Sequence, residues 1–394
     1  MPTKVLVVQP LLRPPGGGNG LIAWTLQALQ GDHDVTLLTW ESVDFPTVNR
    51  YFGTAIDPAR VRLRLAPRGL RGLLPEGWTL LKHNLLLRQC KRIRSSYDVV
   101  MCGHNESDFG GMGIQYVHYP CFDDPRVNDA SKREAEFSHL GWQHRSPAIM
   151  RAYFAFCAKV SGFTMEGVRR NLTLVNSEWT GRLVREILAV EPRTIYPPVH
   201  AEFPNVPWQE RELGFVCVGR IAPEKRVDRI VRILEGVRRK GWNVHLHIIG
   251  NHTDHPAYFA RIEPLLQANQ AWVFLEENLT HEQLRTLIAR HRYGIHGMDR
   301  EHFGIAVAEM VKAGCIVFTP NSGGQVEIVG KDDRLTYDSD EQAVEKITAV
   351  LGDASRQRTL VEHLAGCASC FSADRFVREI RAVVGEVAEE SRRG

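Results

Sequence analysis

Short apolar runs alternate with longer segments of mixed polarity along most of the chain. Runs typical of buried strands occur at 4–10, 35–39 and 98–102, and a glycine-rich loop (14–20) and an amphipathic helix (21–29) follow the first of them. Strand, loop, helix, strand is a βαβ unit. Because 394 residues are too many for one ordinary domain, two domains are expected.

The second half repeats the pattern, with strands predicted at 214–218, 244–250, 272–275, 293–296 and 315–319. Pro197 and Pro198 stiffen the chain before this half begins. The last segment, 373–389, reads as a helix whose apolar side carries Phe376, Ile380, Val383, Val384 and Val387.

Composition is that of a soluble globular protein, with 43% apolar and 24% charged residues. No apolar run reaches the length of a membrane span, and the N-terminal run is too short for a signal peptide. The eight cysteines lie mostly in strand-like runs, and Cys367 and Cys370 form the one Cys-x-x-Cys, with no partner at zinc spacing. We therefore expect reduced thiols and a cytoplasmic location.

Residues 60–94 hold ten Lys or Arg against one acid, Glu76, interleaved with leucines. Such a segment can lie peripherally on an anionic membrane, cover a core helix with a solvated face, or meet an anionic acceptor. Nucleic acid is not expected as a partner, because no aromatic platform accompanies the charge.

Two glutamates eight positions apart, Glu301 and Glu309, enclose Gly304 and precede an apolar, helix-compatible run. A helix beginning near Phe303 would leave the amides of Phe303, Gly304 and Ile305 free to bind an anion. The two carboxylates would flank that anion and accept hydrogen bonds from hydroxyl groups. This arrangement suits a nucleotide sugar, whose diphosphate lies between ribose and hexose.

Two cations five positions apart, Arg220 and Lys225, follow a predicted buried strand and Gly219. The planar fork of arginine and the point charge of lysine suit a diphosphate. The next strand ends at Gly250, which points to the same edge of the sheet, and His118 ends a strand of the first half. Ligands of open parallel sheets gather at such carboxyl ends, so we expect these residues near a binding site.

The motif from Gly294 through Glu301 to Ser322-Gly323-Gly324 resembles the signature of the retaining glycosyltransferases of family 4. Its flanking residues resemble most closely the GDP-mannose-dependent mannosyltransferases that extend lipid-linked oligosaccharides. The resemblance implies the α/β GT-B fold, with two Rossmann-like, doubly wound parallel-sheet domains facing across a cleft. It also implies an acceptor-side domain at 1–200, a donor-binding domain at 201–372, and a C-terminal helix, 373–394, that crosses back to the first domain.

The resemblance also implies the roles of individual residues. Arg220 and Lys225 would offset charge on the leaving diphosphate, Glu301 would hold sugar hydroxyls, and His118 would lie beside the transferred sugar. Arg226 departs from the family, which often has glycine at this position. The implied donor-binding residues are Gly17, Gly18, Gly219, Gly250, Asn278, Leu279, His302, Phe303, Gly304, Ile305 and Glu309.

The function implied is transfer of a hexose, mannose or another, from a GDP- or UDP-linked donor to a hydroxyl acceptor with retained configuration. No Asp-x-Asp metal site is present, so neither a cofactor nor an obligate metal is expected. The polar stretch 121–141 is a candidate acceptor loop. Another GT-B enzyme, such as a sugar-nucleotide epimerase or a hydrolase, and a non-catalytic nucleotide- or glycan-binding protein are the alternatives.

Overall fold

The computed structural model describes residues 2–67, 74, 78–120, 147–200 and 202–393, and it divides into two compact units. The first comprises Met1–His200 and Ala373–Gly394, and the second Ala201–Ser372. Each unit is built on its own parallel sheet. This architecture confirms the α/β class predicted from the sequence.

The sheet of the first unit has seven strands in the order β3-β2-β1-β4-β5-β6-β7. These are β1 (Thr3–Val8), β2 (His33–Thr39), β3 (Val61–Leu65), β4 (Val99–Cys102), β5 (Ile114–Val117), β6 (Leu172–Val175) and β7 (Arg193–Thr194). The helices of this part of the chain are α1 (Gly17–Leu29), α2 (Phe45–Phe52), α3 (Thr79–Ile93), α4 (Pro147–Ser161), α5 (Met165–Arg169) and α6 (Glu178–Leu188).

The central strand β1 is apolar on both of its faces because helices cover both sides of the sheet. Val5 and Val7 join a core cluster formed with α1, whereas Leu6 and Val8 join a cluster formed with α3. Successive side chains of a strand point to opposite faces. The continuous apolar run of β1 is therefore the sequence signature of a sheet buried on both sides.

The C-terminal helix α14 (Ala373–Arg393) completes the core of the first unit. Phe376, Ile380 and Val384 are buried in the same cluster as Val5 and Leu26. The apolar side predicted for this segment is thus buried against the beginning of the chain.

The sequence analysis misplaced or missed several elements of the first unit. The helix predicted at 21–29 begins at Gly17, so the second half of the glycine-rich loop forms its first turn. Strand β3 and helices α2 and α3 were not predicted individually, because β3 and α3 lie within the basic segment 60–94. In β3, Val-Arg-Leu-Arg-Leu, apolar and polar residues alternate as in a strand, and the sequence analysis overlooked this pattern.

In the described part of the basic segment, apolar residues of α3 are buried in the core of the first unit. In α3, Leu86, Leu87 and Cys90 are buried in the core cluster around Leu6. The structure therefore favours the interpretation of α3 as a core helix with a basic outer face. Residues 68–73 and 75–77 lie outside the described residues, and membrane contact by 60–94 stays a prediction.

The sheet of the second unit has six strands in the order β10-β9-β8-β11-β12-β13. These are β8 (Glu212–Val218), β9 (His245–Ile249), β10 (Val273–Glu276), β11 (His291–Ile295), β12 (Ile316–Pro320) and β13 (Thr336–Tyr337). Its helices are α7 (Val227–Arg239), α8 (Pro256–Ala268), α9 (His281–Ala289), α10 (Ile305–Lys312), α11 (Gln325–Ile328), α12 (Asp340–Leu351) and α13 (Ala354–Ala368).

Among the described helices, none combines the length and apolar character needed to cross a bilayer. The seven described cysteines are free, and Cys90, Cys102, Cys157, Cys217 and Cys315 are buried. Burial raises the pKa of Cys217 to about 12, so this thiol stays protonated. His363 Nε2 lies 3.7 Å from Cys367 Sγ, a contact between successive turns of α13.

Candidate functional site

Two glycines bring the carboxyl ends of β8 and β9 into close contact. Gly219 and Gly250 have φ angles of 146° and 154°. A Cβ atom on Gly250 would lie 1.9 Å from the carbonyl oxygen of Gly219. Since no side chain fits there, this pair keeps the backbone open at the edge where a ligand of a parallel sheet binds.

The structure brings Lys225 and Glu301 together from separate loops. Lys225 lies on the turn after β8, Glu301 follows β11, and Lys225 Nζ donates to Glu301 Oε2 at 2.5 Å. His296 is buried just beyond β11, and its Nε2 lies 3.2 Å from the same carboxylate oxygen. The sequence spacing of 76 residues gives no indication of this contact.

The neighbours of Glu301 keep its carboxylate ionised. Burial alone would raise the pKa of Glu301, but the charge of Lys225 and the hydrogen bond from His296 hold that pKa well below its usual range. At neutral pH the group therefore accepts hydrogen bonds and cannot donate one. Such a carboxylate suits the hydroxyl groups of a sugar.

The Ser322-Gly323-Gly324 segment fixes the loop that carries Glu301. Gly324 N donates to Glu301 O at 2.8 Å, and Ser322 Oγ accepts from the amide of Arg300 at 2.9 Å. Gly323 has a φ of 86°, and a Cβ atom there would lie 2.2 Å from Glu301 O. The downstream part of the motif thus acts on Glu301 through the backbone.

The helix after Glu301 begins later than the sequence suggested. Gly304 is its N-cap, with a φ of 106°, and α10 starts at Ile305. The amides without an intrahelical partner at this helix start are those of Gly304, Ile305, Ala306 and Val307, so the predicted Gly304 and Ile305 remain in the set and Phe303 does not. Phe303 instead packs against Phe371 with its ring buried, so its side chain belongs to the core.

Glu309 lies in α10 and is partly buried, and nearby positive charges offset the effect of burial only in part. Burial raises the pKa of Glu309 to about 7, although Arg285 and Lys312 draw it down. A carboxyl group whose pKa lies near neutral pH is a candidate functional residue, because perturbed pKa values cluster at functional sites.

The two cations of the predicted diphosphate site differ in their surroundings. The Arg220 side chain is 60% exposed and contacts Glu224 at 3.3 Å, whereas Lys225 is 20% exposed and paired with Glu301. Arg226, which stands where the family often has glycine, has the left-handed conformation that glycine favours, with a φ of 52°. It pairs with Asp299 at 3.2 Å.

The remaining predicted residues of the second unit lie near the ends of β9 to β11. Asn278 has a φ of 56°, and its amide donates to Asn251 Oδ1 at 3.1 Å. Leu279 follows it, just before the N-cap Thr280 of α9. His302, beside Glu301, helps to lower the pKa of that carboxyl group. The donor contacts assigned to these residues stay predictions.

In the first unit, the structure brings His118 to the beginning of α1. A Cβ atom on Gly18 would lie 3.3 Å from His118 Nε2, and Gly17 and Gly18 occupy the first turn of the helix. His118 Nε2 lies 3.0 Å from Gly103 O, so this nitrogen carries the ring proton. Burial lowers the pKa of His118 to about 4, which leaves the ring neutral. The candidate acceptor loop, 121–141, lies outside the described residues.

The sequence analysis gave no role to His296, although the residue lies within the motif that begins at Gly294. Besides contacting Glu301, His296 accepts a hydrogen bond on its carbonyl oxygen from Tyr337 Oη at 2.5 Å. The His-Gly pair after β11 is the signal that could have identified it. A Cβ atom on Gly297 would lie 2.7 Å from Lys225 O, which is the contact that seats the two loops.

Comparisons with known proteins support the family resemblance. Residues 200–363 match the model of a family described as "Glycosyl transferases group 1". Human and mouse proteins named GDP-Man:Man(3)GlcNAc(2)-PP-Dol alpha-1,2-mannosyltransferase are each 26% identical over 297 and 294 residues. Each match covers 68% of this chain and 59% of the relative, so the chain spans about three fifths of the length of these proteins.

Solved structures share the fold over almost the whole chain. The Anabaena protein HepE, determined with UDP and glucose, has a TM-score of 0.66 at 13% identity and covers 98% of this chain and 100% of its own. Sucrose-phosphate synthase from Thermosynechococcus elongatus has a TM-score of 0.67 at 13% identity, covering 98% and 99%. These likenesses confirm the GT-B fold predicted from the sequence.

Proposed function

From the premise that residues 200–363 form a glycosyl transferases group 1 domain, we propose that the protein transfers a hexose from a nucleotide sugar to a hydroxyl acceptor. The 2.5 Å contact between Lys225 and Glu301 carries this proposal. It combines a cation for a leaving phosphate and an ionised carboxylate for sugar hydroxyls at one sheet edge. A plain surface ion pair would not need the buried His296 beside it.

Each residue of the second unit has a distinct part in the proposed reaction. Lys225 and Arg220 stabilise the charge that grows on the departing nucleoside diphosphate, assisted by the free amides at the start of α10. The Arg220 side chain is 60% exposed, and it would exchange its 3.3 Å contact with Glu224 for the phosphates. Glu301 accepts hydrogen bonds from the hydroxyl groups of the transferred sugar, and Glu309 binds the ribose hydroxyls.

The donor proposed is GDP-mannose, and the configuration at its anomeric carbon is retained. The names of the human and mouse relatives support this donor. UDP-linked hexoses are the alternative, because HepE was determined with UDP-glucose. His118 would lie against the sugar as a neutral imidazole. The acceptor is a hydroxyl group, and retention would be recognised from the anomeric configuration of the product by NMR.

A thermal-shift panel of GDP, UDP, ADP and their common sugars tests the donor site first. A ligand at about a hundred times its Kd stabilises by roughly 2.7 kcal/mol, which is a shift of several degrees. The nucleotide that raises the Tm of the wild type should have no effect on the Tm of Glu309→Ala. It should raise the Tm of Glu345→Ala, a change on the exposed side of α12, as much as that of the wild type. Equal shifts in all three proteins would contradict the site.

Kinetics with the identified donor test the role of Lys225. We expect Lys225→Ala to lower kcat by about 100- to 1000-fold, with a much smaller change in donor Kd. Lys240→Ala, at an exposed helix end, is the control. Equal kcat in Lys225→Ala and wild type would refute the role. Conversion of donor without acceptor would indicate an epimerase or hydrolase, and binding without any turnover a binding protein.

A further inference from the structure

The second unit holds a histidine cluster that the proposed function does not use. His245 and His291 are the first residues of β9 and β11. Lys225 and Glu301, in contrast, follow the carboxyl ends of β8 and β11. Because the strands are parallel, the histidines lie at the opposite edge of the sheet from the donor site. Their grouping needs a separate explanation.

A glycine in the strand between them lets the two imidazoles meet. Strand β8 lies between β9 and β11, and its Gly214 pairs with His245. A Cβ atom on Gly214 would lie 2.2 Å from His245 Nε2, so any other residue would displace the ring. Across this gap, His245 Nε2 lies 3.0 Å from His291 Nε2.

Two further side chains complete the group. Glu212 is two residues before Gly214 and therefore on the same face of β8. Its Oε2 lies 3.4 Å from His245 Nε2 and 3.9 Å from His291 Nε2. His247 shares a face with His245, and one ring nitrogen from each of the three histidines lies within 4.8 Å of the others.

Neighbouring groups orient three of these side chains for metal binding. His291 Nδ1 lies 2.7 Å from Leu287 O, so Nδ1 carries the proton and Nε2 keeps its lone pair. His247 Nδ1 lies 2.9 Å from a Glu276 oxygen. The other oxygen of Glu212, Oε1, pairs with Arg290 at 2.8 Å. Metal-binding histidines usually give their second nitrogen to a carbonyl or carboxylate in this way.

We propose that Glu212, His245, His247 and His291 bind one Zn²⁺ ion as a structural site. Zinc–nitrogen bonds of about 2.0–2.1 Å in a tetrahedron put the ligand atoms roughly 3.3 Å apart. The separations of 3.0, 3.4 and 3.9 Å among three of the four ligands bracket that length. Three imidazoles and one carboxylate suit zinc, and four protein ligands leave no position open for catalysis.

The site is reachable from solvent, which a binding experiment requires. The side chains of Glu212 and His245 are 36% and 26% exposed, whereas that of His291 is fully buried. An ion can therefore enter from the side of Glu212 and His245. For the same reason, replacing these two residues disturbs the core less than replacing His291.

The test uses the full chain, freed of metal with a chelator and then titrated with Zn²⁺ against a chromogenic competitor. We expect one ion per chain, a rise of several degrees in Tm, and the absorption of tetrahedral Co²⁺ when cobalt replaces zinc. His245→Gln and Glu212→Gln should lose at least 100-fold and 10-fold in affinity, respectively. Glu276→Gln, which alters only the support of His247, should lose about 10- to 100-fold.

His281→Gln, at the exposed start of α9, is the matched control and should bind Zn²⁺ as the wild type does. Absence of stoichiometric Zn²⁺, or equal affinity in His245→Gln and wild type, would show a hydrogen-bonded histidine cluster and overturn the proposal. A Co²⁺ spectrum without tetrahedral character would do the same. These measurements need no nucleotide sugar, so they stand apart from the proposed function.

Discussion

Replacing Glu309 by glutamine is expected to stabilise the protein at pH 8 and to change little at pH 5. Burial raises the pKa of this carboxyl group in the folded protein from 4.5 to about 7. Between these values the folded state binds more protons than the unfolded state, so wild-type stability falls as pH rises through this window. Glutamine has the same shape and carries no charge, so it removes that loss.

The size of the effect follows from the pKa difference. A shift of about 2.5 units corresponds to roughly 3 kcal/mol at 1.36 kcal/mol per unit. Because the side chain is only partly buried, water screens some of the charge. The expected gain of Glu309→Gln at pH 8 is therefore about 1–3 kcal/mol, or roughly 2–12 °C in Tm for a domain of this size.

Urea unfolding of wild type and Glu309→Gln at several pH values from 5 to 8 measures the difference directly. Other titrating groups cancel in the comparison, since they are common to both proteins. Glu345→Gln, a change at an exposed glutamate in α12, controls for the loss of a surface charge. Its difference from the wild type in unfolding free energy should not change between pH 5 and 8. A difference between wild type and Glu309→Gln that does not grow between pH 5 and 8 would refute the burial argument.

Three other changes test the fold and the loops. Gly250→Ala should cost at least about 2–4 kcal/mol in unfolding free energy, because its Cβ atom would overlap the carbonyl of Gly219; a stability equal to wild type would disprove that contact. Phe376→Ala should cost about 3–5 kcal/mol, measured by urea unfolding, since the ring is buried in the first unit. Arg226→Gly should be about 1 kcal/mol more stable than Arg226→Ala by the same assay, because both lose the Asp299 pair but only glycine relieves the left-handed backbone.

Elements buried on both faces were predictable from the sequence because burial leaves an unbroken apolar run. Strand β1, for example, ends in Val-Leu-Val-Val, which is recognisable as a buried strand from the sequence alone. Strand β3, Val-Arg-Leu-Arg-Leu, carries exposed arginines and was not recognised. The alternation of apolar and polar residues in β3 is the signal that could have identified it.

The candidate site was predictable in its residue types but not in its geometry. A glycine and two carboxylates at fixed spacing identify Glu301 and Glu309, yet nothing local shows that Lys225 contacts Glu301. The helix start was misplaced because Phe303 is compatible with a helix, whereas the positive φ of Gly304 ends the loop there. The histidine cluster was missed because its histidines come from two strands that β8 separates, and Gly214 gives no chemical signal.

Burial of α14 in the first unit has a consequence for synthesis on the ribosome. Arg381 donates to Ala28 O across 353 positions, so the side of α1 that faces α14 stays uncovered until residues 373–393 have been synthesised. At about 5–20 residues per second, the chain from 201 to 394 takes roughly 10–40 s. The first unit therefore cannot complete its core until the second unit has been synthesised, and α1 keeps an apolar face uncovered during that interval.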